Sequence, residues 1–387
     1  MSVTVPAGFV AAGVACGIKP RGALDLALVA TEDGAPVPAA AVFTANLATA
    51  APVQVSRAHL VAGGNHAAAV VLNSGNANAA TGEAGRRHAE RACELVGERL
   101  GCDPSAVLVC STGLIGIPLP IDAIEQGVVP LVGALSPEGG TQAAEAIRTT
   151  DTVRKETLVR GEGFVVGGMA KGAAMLAPNM ATMLAVLTTD AAAPAELLAP
   201  ALADAVAASF NTLSVDGCTS TNDTVIVLAN GRGSAATPVA LTAALTTACV
   251  DLAEQMCADA EGATKVVRVL VRGAASVDDA RQAARKVAES QLVKCSLFGA
   301  DPYWGRIVSE LGSAGVAFDP DRVSVAYGTT VVCSGGIATG HDEAAVKDHL
   351  AGRHVEVSAD LGLGVSEASM LTNDLTHAYI DENAKTS

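Results

Sequence analysis

Short apolar runs of strand length recur along this chain, and several follow one another without a helix between them. Residues 107–110, 164–168, 183–187, 224–228, 267–271, 322–333 and 355–361 read as strands. Helical periodicity appears at 85–100, 194–211, 238–260, 277–292 and 342–350. In the first of these, Ala89, Ala92, Val96 and Leu100 share one face, with Arg and Glu opposite. A regular doubly wound sheet needs a crossover, usually a helix, between successive parallel strands. The order here therefore predicts a layered α/β sandwich with mixed or antiparallel sheets. At 387 residues the chain exceeds one simple core. It is expected to divide into a main α/β domain at 1–274 and a smaller C-terminal α/β domain at 275–387.

Composition narrows the class. Half of the residues are hydrophobic and only 3% are aromatic, which suits a compact protein packed with small side chains and excludes disorder. A formal net charge of −15 repels phosphate backbones, so no nucleic-acid partner is expected. No membrane association is expected either: the apolar run at 173–187 is short and interrupted by Pro178, Asn179 and Thr182. The first residues lack a basic stretch before their apolar ones, so no signal peptide is read. Nine cysteines without a C-x-x-C pair favour reduced thiols in the cytoplasm. Cys110 and Cys249 read as small core residues.

Familiar catalytic motifs are missing. There is no H-E-x-x-H, the seven histidines lack metal-ligand spacing, and no Walker A lysine loop or G-x-S-x-G elbow occurs. Neither a metal nor a cofactor is expected. Gly167-Gly168-Met169-Ala170-Lys171-Gly172 follows a strand, but Pro178 stops any helix after it, so the glycine pair reads as close backbone approach. Ser111-Thr112-Gly113 reads locally as a strand-ending loop. Thr182 in Ala177-Pro178-Asn179-Met180-Ala181-Thr182-Met183 stands where a strand begins, a usual place for a β-branched residue.

Taken in order, the blocks from Gly17-Ile18-Lys19 to Asp301-Pro302-Tyr303-Trp304-Gly305-Arg306 carry a resemblance. Between them come Asp25-Leu26-Ala27-Leu28, Asn73 to Asn78, Cys110 to Gly116, Thr149 to Thr152, the stretch from Gly167 to Ala191, Thr219 to Thr224, and Asp259 to Gly262. Together they resemble the ornithine acetyltransferases, or bifunctional glutamate N-acetyltransferases, of arginine biosynthesis, over essentially the whole chain. The resemblance implies a self-processing fold of the N-terminal-nucleophile type. Cleavage between Ala181 and Thr182 would give chains 1–181 and 182–387, expected to pair as an α2β2 heterotetramer.

What the resemblance implies for chemistry follows from that cut. Thr182 becomes an N-terminal residue whose own amine, with a pKa near ~7.7–8.0 against ~10.4 for lysine, can take the hydroxyl proton. Thr182 would accept acetyl from N2-acetylornithine and pass it to glutamate in a ping-pong cycle. The Thr112 hydroxyl and Gly113 N–H would stabilise the oxyanion. Thr149 (or Thr150, one position on), Lys171, Glu261, Asn383 and Ser387 would bind substrate. The tail, Asn383-Ala384-Lys385-Thr386-Ser387, departs from the family's common N-S-x-Y-T-T ending. Acetyl-CoA as a second donor separates bifunctional from monofunctional members, and both stay open. So do two other readings: an aminopeptidase or amidase using the same threonine, and an unprocessed binding protein.

Overall fold

The computed structural model describes residues 3–175 and 183–384. The chain forms two compact units, residues 1–211 with 218–256, and residues 212–217 with 257–387.

The first unit holds two sheets. One has four strands in the order β1 (Phe9–Val14), β2 (Leu26–Thr31), β5 (Ala69–Asn76) and β6 (Val107–Leu114). The other runs β4 (His66–Ala67), β3 (Val37–Phe43), β10 (Thr224–Ala229), β9 (Leu184–Thr189), β8 (Val165–Lys171) and β7 (Lys155–Arg160). Each sheet is mixed: β5–β6 and β9–β10 are parallel, and the other pairs antiparallel.

Successive side chains of a strand point to opposite faces, and here both faces are covered. Ala11, Val29, Leu72 and Leu108 of the first sheet pack toward Met169, Leu184, Val186 and Ile226 of the second. Their neighbours Ala12, Leu28, Val71 and Val109 pack against Ala89, Ala92 and Val96 of α2 (Gly82–Leu100) and Ile124 and Val128 of α3 (Ile121–Gly133), with Val55 of α1 (Ala51–Ala62). Strands buried on both sides read as continuous apolar runs rather than alternating ones. The short helix α4 (Gly140–Ala146) joins the layer between the sheets through Ala143, Ala144 and Ala146. On the outer face of the second sheet, α5 (Ala195–Ala208) packs on β3 and β10. Leu252 of α6 (Pro238–Ala258) lies over Gly168. The result is a layered α-β-β-α sandwich with mixed sheets, as the order of elements predicts. Each Val or Leu buried in these layers contributes roughly 1.5–3 kcal/mol.

The second unit is an α/β layer of its own. Its sheet runs β14 (Ile337–Ala338), β13 (Thr330–Ser334), β12 (Ser324–Tyr327), β15 (His354–Asp360), β11 (Val266–Ala274) and β16 (Ser366–Asn373), with only β11–β15 parallel among the described pairs. Val267, Val269 and Val271 face a core shared with Ala280, Ala284 and Val287 of α7 (Val277–Glu289) and with α8 (Gln291–Phe298), α9 (Gly305–Gly312) and α10 (Glu343–Ala351). The helix α11 (His377–Asn383) follows β16.

Three local expectations change. Ser111-Thr112-Gly113 is not a loop: β6 continues to Leu114, because its parallel pairing with β5 persists through Gly75↔Gly113. The stretch 322–333 is a hairpin rather than one strand, turned at Gly328 with φ +57°. The helix expected at 277–292 ends at Glu289, and Ser290 starts α8 by accepting the Val293 N–H on its hydroxyl. No helix among the described residues is long and apolar enough to cross a membrane.

Candidate active site

In the first unit the site begins where β5 and β6 run out together. Thr112 is 5% exposed and lies within the strand. Gly113 has φ +135°, and a Cβ there would run into the Gly75 carbonyl carbon and Asn76 N. Only glycine allows the two strand ends to approach this closely. Gly113→Ala is expected to cost at least about 1–3 kcal/mol in backbone strain alone. Thermal unfolding should show a midpoint several degrees lower, together with reduced activity; an unchanged midpoint would contradict the geometry.

A ladder of buried amides fastens this end. Ser111 Oγ donates to Asn73 Oδ1 at 2.6 Å, and Asn73 Nδ2 donates to the Asn76 carbonyl at 2.8 Å. Asn76 Nδ2 donates to the carbonyls of Ile117 and Pro118, and its Oδ1 accepts the Asn78 N–H. Asn222 completes it from far along the chain, donating from Nδ2 to the Ala77 carbonyl at 2.6 Å and the Ser111 carbonyl at 2.9 Å. Buried carbonyls that lose such partners pay the desolvation cost in full.

Asp151 organises a second cluster. It precedes β7, whose first residue, Lys155, pairs in register with Ala170, next to Lys171 at the end of β8. Both lysines therefore reach the same end of the sheet. Lys155 Nζ donates to Asp151 Oδ1 at 2.7 Å, and Lys171 Nζ lies 3.9 Å from Oδ2. The N–H groups of Gly172 and Thr149 donate to the same carboxylate at 2.7 and 3.1 Å. Arg148 holds the Asp151 carbonyl through Nη2 and Nε. All three charged side chains, Asp151, Lys155 and Lys171, are buried. Burial alone would push the Asp151 carboxyl up. The Lys171 and Lys155 charges and the bonds from Lys155 and Gly172 outweigh it and hold the group well below the usual carboxylate range.

Next to this cluster β9 and β10 begin side by side. Met183 is held on both sides: its carbonyl accepts the Thr224 N–H at 3.1 Å, and its N–H donates to Asp223 Oδ1 at 2.8 Å. Asp223 is fully buried. Burial pushes its carboxyl well above the ordinary value, against the Met183 N–H, the Lys171 charge and the Ser220 hydroxyl. The N-terminal blocks brace the same region. Asp25 accepts the N–H groups of Cys16, Gly17 and Lys19, and Lys19 Nζ donates to the Arg148 carbonyl at 2.8 Å.

In the second unit, Glu261 is 9% exposed and its Oε2 accepts from Asn383 Nδ2 at 2.8 Å. Gly262, at φ +62°, has no room for a Cβ against the backbone of Ala378 and Tyr379, so Glu261 is delivered directly beside α11. The Thr376 hydroxyl clasps the two segments by donating to the Gly262 carbonyl.

Thus the structure groups Thr149 with Lys171 around Asp151, places Thr112 and Gly113 at the β5–β6 end, and joins Glu261 to Asn383 within the second unit. Ala181, Thr182 and Ser387 lie outside the described residues. Asp151, Lys155, Asn222 and Asp223 are the residues that motif reading passes over. For Asp151, Asn222 and Asp223 the available signal was their place inside the T-T-D-T and T-N-D-T blocks; Lys155 lies three residues beyond the first of them.

A sequence model of the ArgJ family matches residues 10–387. The chain is 48% identical over 385 residues to the "Arginine biosynthesis bifunctional protein ArgJ" of Thermobifida fusca, covering 99% of each. It is 47% identical over 386 residues to the protein of the same name from Streptomyces coelicolor, again covering 99% of each. Over 394 residues it is 48% identical to the one from Mycobacterium tuberculosis strain H37Rv, covering 99% of this chain and 95% of that one.

Proposed function

The chain belongs to the ArgJ family, and from that premise we propose that it is an acetyltransferase of arginine biosynthesis, carrying acetyl from N2-acetylornithine to glutamate through an ester on Thr182. The observation that carries the reading is the match over residues 10–387, which spans every residue assigned to the site. The Asp151 cluster supports it, because Asp151 holds the buried Lys171 cation at the end of β8, and a buried cation suits an amino-acid carboxylate.

The Thr182 hydroxyl first attacks the Ala181 carbonyl, and the acyl group moves from nitrogen to oxygen. Water then hydrolyses that ester, leaving chains 1–181 and 182–387 and a free amine on Thr182. In the first half-reaction the Thr182 oxygen attacks the acetyl carbonyl of N2-acetylornithine while its amine takes the proton. The amine returns that proton to the departing ornithine nitrogen. In the second, the glutamate amine attacks the acetyl ester, and the threonine oxygen leaves with a proton. Thr112 and Gly113 stabilise the oxyanion in both halves; one such donor contributes roughly 2.7–4 kcal/mol to the transition state. Lys171 and Thr149 bind the substrate's carboxylate end. Glu261, Asn383 and Ser387 serve its amino groups. One amide is exchanged for another, so no energy source enters the cycle. The processed chains stay associated as α2β2 in the cytoplasm.

The test supplies N2-acetylornithine labelled in the acetyl group, with and without glutamate. Label should appear in N-acetylglutamate, matched one for one by free ornithine. Release of labelled acetate without N-acetylglutamate would assign a hydrolase instead.

A further inference from the structure

Asp223 occupies an unusual position at the head of the parallel pair β9–β10. The first matched rung of that pair is Thr224↔Leu184. One residue earlier, the Asp223 side chain takes over where a backbone acceptor would stand, and its Oδ1 receives the Met183 N–H at 2.8 Å. The Asp223 main chain is itself fixed, its carbonyl accepting the Thr44 N–H at 2.9 Å. Its second oxygen, Oδ2, is enclosed and has no hydrogen-bond partner among the described residues. A fold does not bury a carboxyl with one oxygen unsatisfied without cost, on the order of 1–3 kcal/mol. The Met183 carbonyl has its own partner in the Thr224 N–H, so Asp223 serves the N–H side of that residue.

We propose that Asp223 is a positioning residue for the nucleophile, fixing through its side chain the first amide that follows Thr182. This inference rests on the assignment of Thr182 given above. A hydroxyl reacts efficiently only when its approach to the carbonyl is held within a narrow range, and a misplacement of about 1 Å can cost on the order of 100-fold. The bond from Asp223 reaches the nearest backbone donor beyond the nucleophile. The carboxyl sits wholly out of water, and that burial opposes its charged form more than the Met183 N–H and the Lys171 cation favour it. An asparagine, equal in shape, keeps the accepting oxygen; an alanine removes it.

The experiment follows self-cleavage of freshly made full-length chain by intact mass, then kcat and KM for acetyl transfer, in wild type, Asp223→Asn, Asp223→Ala and Thr182→Ala. Asp223→Asn should cleave within about 3-fold of wild type. Asp223→Ala should cleave about 10- to 100-fold more slowly, and its matured fraction should lose kcat with KM little changed, as expected for lost orientation rather than lost binding. Asp223→Ala matching wild type overturns the proposal. So does Asp223→Asn as slow as the alanine variant, which would mean that an accepting oxygen on the Met183 N–H is not what matters, or a loss confined to KM. Should Asp223→Ala fail to fold, Asp223→Ser, whose shorter side chain does not reach the Met183 N–H, takes its place under the same two criteria. The underlying assignment fails separately: if Thr182→Ala is cut and active like wild type, the nucleophile is elsewhere and this inference falls with it.

Discussion

Thr182→Ala yields a chain that stays whole and transfers no acetyl. Alanine has no oxygen to attack the Ala181 carbonyl, so the N-to-O shift never begins and the amine at residue 182 is never released. Both the nucleophile and its base are lost through one substitution, because the base is created by the cleavage. Removing a covalent nucleophile elsewhere costs on the order of 10⁶ in kcat. Thr182→Ser keeps the hydroxyl and should still process, more slowly if the lost methyl loosens its orientation. Intact mass gives the first readout and the labelled transfer assay the second. The thermal midpoint of the alanine precursor should stay close to that of wild type, which separates lost chemistry from lost folding. A Thr182→Ala protein recovered as two fragments, or one that still forms N-acetylglutamate, would remove the mechanism.

Asp151→Ala is expected to have the largest effect on stability. It leaves Lys155, which is 0% exposed, and Lys171, which is 3% exposed, without the carboxylate that both face. Breaking a buried pair from one side typically costs about 3–5 kcal/mol, because the remaining charge stays out of water. For a unit of this size that corresponds to a fall in Tm of roughly 10 °C. Function should fall as well, as a raised KM for N2-acetylornithine, since the same carboxylate orients Lys171 and the Thr149 N–H. The pH dependence has a definite sign. A carboxyl held below its unfolded value stabilises the fold fully above about pH 3.9, and that contribution is lost as pH falls toward the depressed folded value. The gap in Tm between wild type and Asp151→Ala should therefore be wide at neutral pH and close in acid below about pH 4. A gap that widens in acid, or a variant within a degree or two of wild type at pH 7, would show that Asp151 does not hold the two lysines.

The architecture was largely legible because apolar runs and helical stripes are local. The helix expected at 85–100 is α2, Gly82–Leu100, and the run expected at 224–228 is β10, Thr224–Ala229. Errors fell where long-range pairing overrides local chemistry. Ser111-Thr112-Gly113 has the residues of a turn, yet partners on β5 keep it extended. Gly328 was the opposite case, a single glycine that divides an apparently continuous strand. At the site, the blocks were recognisable but the connections between them were not. A lone aspartate looks like a surface residue in sequence. That Asp151 and Asp223 are buried, and which donors they meet, depends on β-strand ends brought together from across the first unit.

The reach of the Asn222 amide bears on when the chain becomes reactive. Its two acceptors, at Ala77 and Ser111, lie 145 and 111 residues earlier. Closing loops of that length is entropically slow, so this junction forms late. A growing polypeptide that has not yet delivered residue 222 can assemble the β5–β6 pair but cannot lock its tip. Under the proposed self-cleavage, a half-made molecule is thereby chemically silent, and only one that has gathered its distant parts acquires the means to cut itself.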